Sequence, residues 1–83
     1  MILFKVGRVT HYYDKIGVAI VEIDSTLSVG DSIKFSKDGQ DLFSQVVDSI
    51  QVEHEKKETA VKGEVIGLKT KEPVKADTDV YKI

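Results

Sequence analysis

The sequence predicts an all-β fold, a small barrel of short strands. Runs rich in Val, Ile, Phe, Thr and Tyr recur between turn residues, and no stretch holds apolar residues at a sustained helical spacing. The one proline, Pro73, falls near the end and interrupts no earlier run. The 83 residues read as a single domain over 1–83, close to the lower limit for a self-sufficient core. A chain this short buries only roughly 60–65% of the surface its unfolded form exposes, so most apolar positions must share one core.

The first strand is predicted from Leu3 to Tyr13 and the second from Gly17 to Ile23. Asp14-Lys15-Ile16 between them makes a three-residue hairpin loop, which pairs Tyr13 with Gly17 and sets Val9 opposite Val21 in the core. Leu27-Ser28-Val29-Gly30-Asp31 reads as a turn, Ser32 to Ser36 as a strand with Ile33 and Phe35 on one face, and Lys37-Asp38-Gly39-Gln40 as a second hairpin. Leu42 to His54 is a further strand whose apolar residues change parity between Val46 and Val47, the mark of a bulge or bend. Small barrels need such bends to close. The charged stretch Glu53 to Lys62 is predicted as a loop or a single irregular turn ending at Gly63. Val65 to Lys69 and Asp79 to Ile83 complete the strands.

Composition narrows the function classes. Without cysteine there is no disulfide, thiolate zinc site or thiol nucleophile. Fourteen acidic residues against twelve Lys and Arg give a net charge of −2, which offers no global attraction to nucleic acid or anionic membrane. Lys62, Lys69, Lys71, Lys75 and Lys82 crowd the C-terminal part but alternate with Glu64, Glu72, Asp77 and Asp79, as a solvated mixed-charge surface does. The longest apolar run, Gly17 to Val21, is far short of the ~20 residues of a membrane span, and Met1 to Lys5 has no signal-peptide pattern. The expectation is a soluble, cytoplasmic chain with no membrane partner.

Four segments together form a known pattern: Gly7-Arg8-Val9, Gly17-Val18-Ala19-Ile20-Val21, Leu27-Ser28-Val29-Gly30-Asp31-Ser32-Ile33 and Ala60-Val61-Lys62-Gly63-Glu64-Val65-Ile66-Gly67-Leu68. The chain resembles the β-barrel second domain of translation elongation factor Tu, from about Lys5 to Ile83. It is also similar to the small barrel that ends some collagenase-like peptidases. The resemblance implies a closed or nearly closed six-stranded antiparallel Greek-key barrel and, through the translation factors, contact with tRNA, rRNA or a translation-associated protein. It implies no catalysis, because the phosphate-binding run GxxxxGK followed by Ser or Thr is missing and the peptidase barrel is an accessory one. The first hairpin, Gly7 to Tyr13, departs from the family's glycine-rich text.

The residues add little chemistry of their own. His11 and His54, with Asp14, Glu53 and Glu55 near them, match no metal-ligand spacing, and the serines have no nucleophile elbow or triad beside two histidines. No catalytic residue, metal site or cofactor is expected. Arg8 and Tyr12, on one face by strict alternation, combine phosphate contact with base stacking and are the candidate RNA-binding residues. The leading expectation is therefore a non-catalytic binding module for RNA or the translation apparatus. The alternative is a protein-interaction or oligomerisation module, an accessory barrel for a separate enzyme or a homo-oligomer. Its candidate residues are Val6, Val18 and Ile20, which alternation sends outward when Val9 and Val21 are core. A different twist or register would instead take Val18 and Ile20 into a larger core.

Overall fold

Ten strands and no helix form over residues 4–83, the part that the computed structural model describes. The predicted beginning of the first strand at Leu3 lies outside the described residues. Strands β1 (Phe4–Tyr13) and β2 (Val18–Ile23) make the first hairpin, and β4 (Ser32–Lys37) and β5 (Gln40–Val46) the second. Strands β6 (Ile50–Val52), β7 (Glu55–Lys57), β9 (Val65–Lys69) and β10 (Asp79–Lys82) join them in one antiparallel sheet ordered β5-β4-β10-β1-β2-β9-β6-β7. A separate two-stranded pair, β3 (Leu27–Ser28) with β8 (Thr59–Ala60), adds Leu27 and Ala60 to the same core.

The all-β class is as the sequence predicts, but the closed six-stranded barrel is not. The sheet is open, with eight strands and with β5 and β7 at its edges. The parity change at Val46–Val47 is the reason. The β5 ladder stops at Val46, Val47 bonds to the turn before β4, donating to the Asp31 carbonyl and accepting from the Gly30 N–H, and strand pairing resumes at Ile50, on β9. Where a closed barrel would continue the ladder, one side chain stands in for it. Gln45 Nε2 donates to the Lys69 carbonyl at 2.8 Å, and its Oε1 accepts from the Lys71 N–H at 2.9 Å.

The first hairpin also differs from its predicted form. Tyr13 pairs with Val18 and not with Gly17, because the turn has four residues, with Gly17 at φ 67° accepting the left-handed conformation. Val9 still faces Val21, because Thr10 is an extra residue that restores the offset. A second extra residue, Val6, interrupts the pairing of β1 with β10. These two bulges reverse the predicted orientation of Val6 and Tyr12. Val6 is 1% exposed in the core, and Tyr12, opposite the buried Ala19, packs partly buried against that core.

Half of the charged stretch predicted as a loop is instead paired in strands. Glu53 and His54, at φ 50° and 68°, form a two-residue turn joining Val52 of β6 to Glu55 of β7, the left-handed geometry that matches hairpin twist. Alternation hid this because β7 carries no apolar residue at all. Its end is fixed by Lys57, whose ammonium lies 3.0 Å from Glu64; Glu64 also accepts the Val61 N–H at 2.9 Å.

Two outcomes test this architecture. A methyl group on Gly7 would sit 2.6 Å from the Glu22 carbonyl oxygen and 2.8 Å from Val21 Cγ1. Gly7→Ala should therefore cost about 2 kcal/mol or more in urea unfolding, and an unchanged midpoint would refute the close approach of β1 to β2. The Val61 N–H and the Lys57 ammonium hold the Glu64 carboxyl below the ordinary glutamate range. A lowered native pKa means that its contribution is complete above the ordinary range and is lost as acid titrates through the lowered one. Glu64→Gln should flatten that acid limb in a thermal-melt series, and an identical limb would show that the contact is not maintained in solution.

Candidate interaction surface

Because one face of the sheet encloses the core, its other face is the surface on which strand alternation places side chains for a partner. That outer face divides in two. Over β4, β10 and β1 it is ionic: Lys34 reaches Asp41 at 3.1 Å and lies 5.9 Å from the Tyr81 ring, and Lys5 reaches Asp79 at 3.1 Å. Over β2 and β9 it is apolar. Val18 and Ile20 are half-buried there, and Val65 is 53% exposed. Tyr13 and Ile16, 48% and 63% exposed, extend the patch at the end of the first hairpin.

A shallow groove runs along this apolar half, lined by Val18, Ile20 and Val65, with Gln51, Glu53 and His54 on its far side. Its floor is Gly67, which pairs with Ile20 on β2 and Gln51 on β6. A Cβ on Gly67 would lie 3.3 Å from Val18 Cγ1 and 3.9 Å from Gln51 Cβ, so Val18 leans over the bare glycine and would have to give way to any side chain there. Exposed apolar side chains grouped along a groove are the pattern of a protein-contact surface.

The candidate residues named from sequence are redistributed. Val18 and Ile20 lie together on the apolar half, while Val6 is removed to the core by its bulge. Arg8 points outward opposite Glu22, but Tyr12 faces inward, so the two no longer share a face. His11 stacks edge-on against Tyr13 with ring centroids 4.6 Å apart, while His54 is a residue of the β6–β7 turn beyond β2 and β9. Among the described residues, no three His, Cys, Asp or Glu side chains gather as metal ligands do. Ser28 shares a 3.2 Å hydrogen bond with Thr59, and Ser36 donates to the Gln40 carbonyl at 3.1 Å, which are structural roles for hydroxyls. Sequence reasoning missed Ile16, Val65 and the groove over Gly67. The first is an apolar residue inside a turn, and the others need the register of β9 against β2 to become visible.

No family model matches the chain. Over 77 residues it is 35% identical to an uncharacterized protease of Methanocaldococcus jannaschii, covering 93% of this chain and 19% of that protein. Over 78 residues it is 33% identical to a collagenase of Porphyromonas gingivalis, covering 93% of this chain and 22% of the collagenase. The chain thus spans about a fifth of the length of these relatives. Two solved structures of the C-terminal domain of a Geobacillus thermoleovorans protein described as a U32 peptidase superpose with TM-scores of 0.85 and 0.87 at 23% and 24% identity. They cover 92% and 96% of this chain and 95% and 91% of theirs. These relatives overturn the expectation of an RNA-binding module of the translation apparatus, and the collagenase-like part of the resemblance is the part that fits. The chain shares its all-β fold with the C-terminal domain of a U32 peptidase, and its sequence with a segment of proteins named protease and collagenase.

Proposed function

We propose that this chain is a non-catalytic accessory domain of a collagenase-like peptidase and that it acts by binding protein through the apolar half of its outer face. The observation that carries the reading is the grouping of Tyr13, Ile16, Val18, Ile20 and Val65 along the groove over Gly67, beside an outer half where Lys5, Asp79, Lys34 and Asp41 are paired within the chain. A protein surface covers such a patch more readily than RNA does, since RNA recognition relies on clustered cations and exposed stacking rings. The matched relatives, about five times as long, have room for a catalytic unit outside the shared segment. Within the segment, the hydroxyls of Ser28 and Ser36 serve the fold.

A chimera tests this reading whatever covers the face. When this chain replaces the matching segment of the Porphyromonas gingivalis collagenase, the chimera should cleave collagen, while the chain alone should leave collagen intact. Ile20→Lys places an ammonium in the middle of the patch. In the chimera it should lower the cleavage rate by about tenfold or more while the isolated chain keeps its β-sheet circular dichroism. Full activity of the folded Ile20→Lys chimera would remove the face from the function, and collagen cleavage by the chain alone would refute the accessory role.

A further inference from the structure

The open sheet has two edges, and they are not alike. Strand β7 is three residues long and carries Glu55, Lys56 and Lys57, the charged kind of edge that resists pairing with another chain. Strand β5 is seven residues long, has neither lysine nor proline, and exposes Leu42 and Val46. In an antiparallel ladder, successive residues turn their N–H and C=O groups alternately towards and away from the neighbouring strand. Val47 directs its pair to Asp31 and Gly30, on the β4 side, and Gln45 stands opposite Ile33. The same alternation turns the N–H and C=O groups of Ser44 and Val46 outward, into the seam between β5 and the end of β9. Among the described residues no other backbone group bonds them.

The seam is a cleft of about 400 Å³ lined by Gln45, Val46, Asp48, Lys69, Thr70 and Lys71. Its hydrogen bonding is incomplete. The Lys69 carbonyl and the Lys71 N–H, which a neighbouring strand would engage, are held by the Gln45 side chain instead. Thr70 is 9% exposed, and its hydroxyl is the buried side-chain polar atom that has no hydrogen-bond partner among the described residues. Lys69 and Lys71 are exposed and belong to none of the ion pairs among the described residues; Lys71 Nζ lies 6.0 Å from the Phe43 ring, across the seam. Asp48, the acid that lines the cleft, follows Val46 at one end.

We propose that the seam takes up an extended polypeptide segment of a partner as an added strand, which pairs with Ser44 and Val46 on one side and displaces Gln45 from Lys69 and Lys71 on the other. This site is separate from the apolar half of the outer face and stands whether or not that half binds protein. In strand addition the backbone supplies affinity and alternate side chains supply the choice of partner. Gln45 and Thr70 close the floor of the cleft, so side chains above them must be small. The alternate residues lie beside Lys69 and Lys71, which favour carboxylates. The occupant is therefore a segment that alternates acidic with small residues. Paired strands lie ~4.8 Å apart, so a strand seated between two others takes ~9.6 Å and the seam widens to admit it. A side-chain bridge permits this, because the entering backbone restores the two hydrogen bonds that Gln45 gives up.

The probe is a seven-residue peptide with blocked ends, alternating Glu and Ser. NMR titration of the chain should show saturable binding with a dissociation constant of about 1 mM or below. At about 10 mM peptide, hydrogen exchange at the Ser44 and Val46 amides should slow by about tenfold. The same peptide N-methylated at alternate residues should bind about tenfold more weakly or worse, and so should a peptide with Lys in place of Glu. Gln45→Ala removes the internal competitor and should tighten binding by about threefold or more. No binding at about 10 mM would overturn the proposal, as would binding that leaves exchange at Ser44 and Val46 unchanged or that ignores N-methylation. A Lys peptide that binds as tightly would refute the acidic occupant. The modified peptides act on the unaltered chain, so they decide the matter even if Gln45→Ala unfolds.

Discussion

Strand β1 is the constraint on which the rest depends. It lies between β10 and β2, so it sets the position of both halves of the sheet, and it carries an extra residue against each neighbour. A bulge bends its strand and raises local twist, and two of them within ten residues help the sheet curl around one core. Each bulge also changes which side chains face inward. Val6 and Tyr12 serve the core only because Val6 and Thr10 are extra residues. Gly7 follows the first bulge, and its hydrogen atom is all that fits against the Glu22 carbonyl.

The curled sheet nearly meets itself, and the way it fails to close is economical. A continued ladder between β5 and β9 would need several residues in register, but the bend at Val47 to Ser49 prevents it. Gln45 offers one acceptor and one donor at the right separation and so imitates a backbone peptide across the gap. That seam is polar and partly exposed, so the bonds there contribute less than the apolar burial of Phe35, Ile33 and Leu68 behind them.

The outer face owes its two halves to the order of strands. Placing β10 between β4 and β1 brings Lys34, Asp79 and Lys5 close enough for ion pairs and for Lys34 to lie over Tyr81. Exposed pairs of this kind add little stability, but they satisfy charge locally and leave a surface with little demand for a partner. Placing β9 beside β2 has the opposite effect: it assembles Val18, Ile20 and Val65 from segments more than forty residues apart. The proposed accessory role rests on that contrast, since the exposed apolar surface is confined to one side.

Much of this was legible in the sequence because it depends on local chemistry. Alternation in Ile33 and Phe35, the Asp38-Gly39 turn and the parity change at Val46 determined the all-β class, most of the strand positions and the place of the bend after β5, but that bend, expected to help a barrel close, ends the ladder instead. Val18 and Ile20 were readable as outward residues because β2 is regular along its length. Tertiary structure alone decided the bulges at Val6 and Thr10, for an extra residue is defined only against the strand it faces. It also decided the pairing of the charged β7, whose place comes from backbone hydrogen bonds and not from apolar alternation. The groove over Gly67 and the separation of Arg8 from Tyr12 have the same origin: both depend on register between strands, a relation between distant segments that no single stretch of sequence contains.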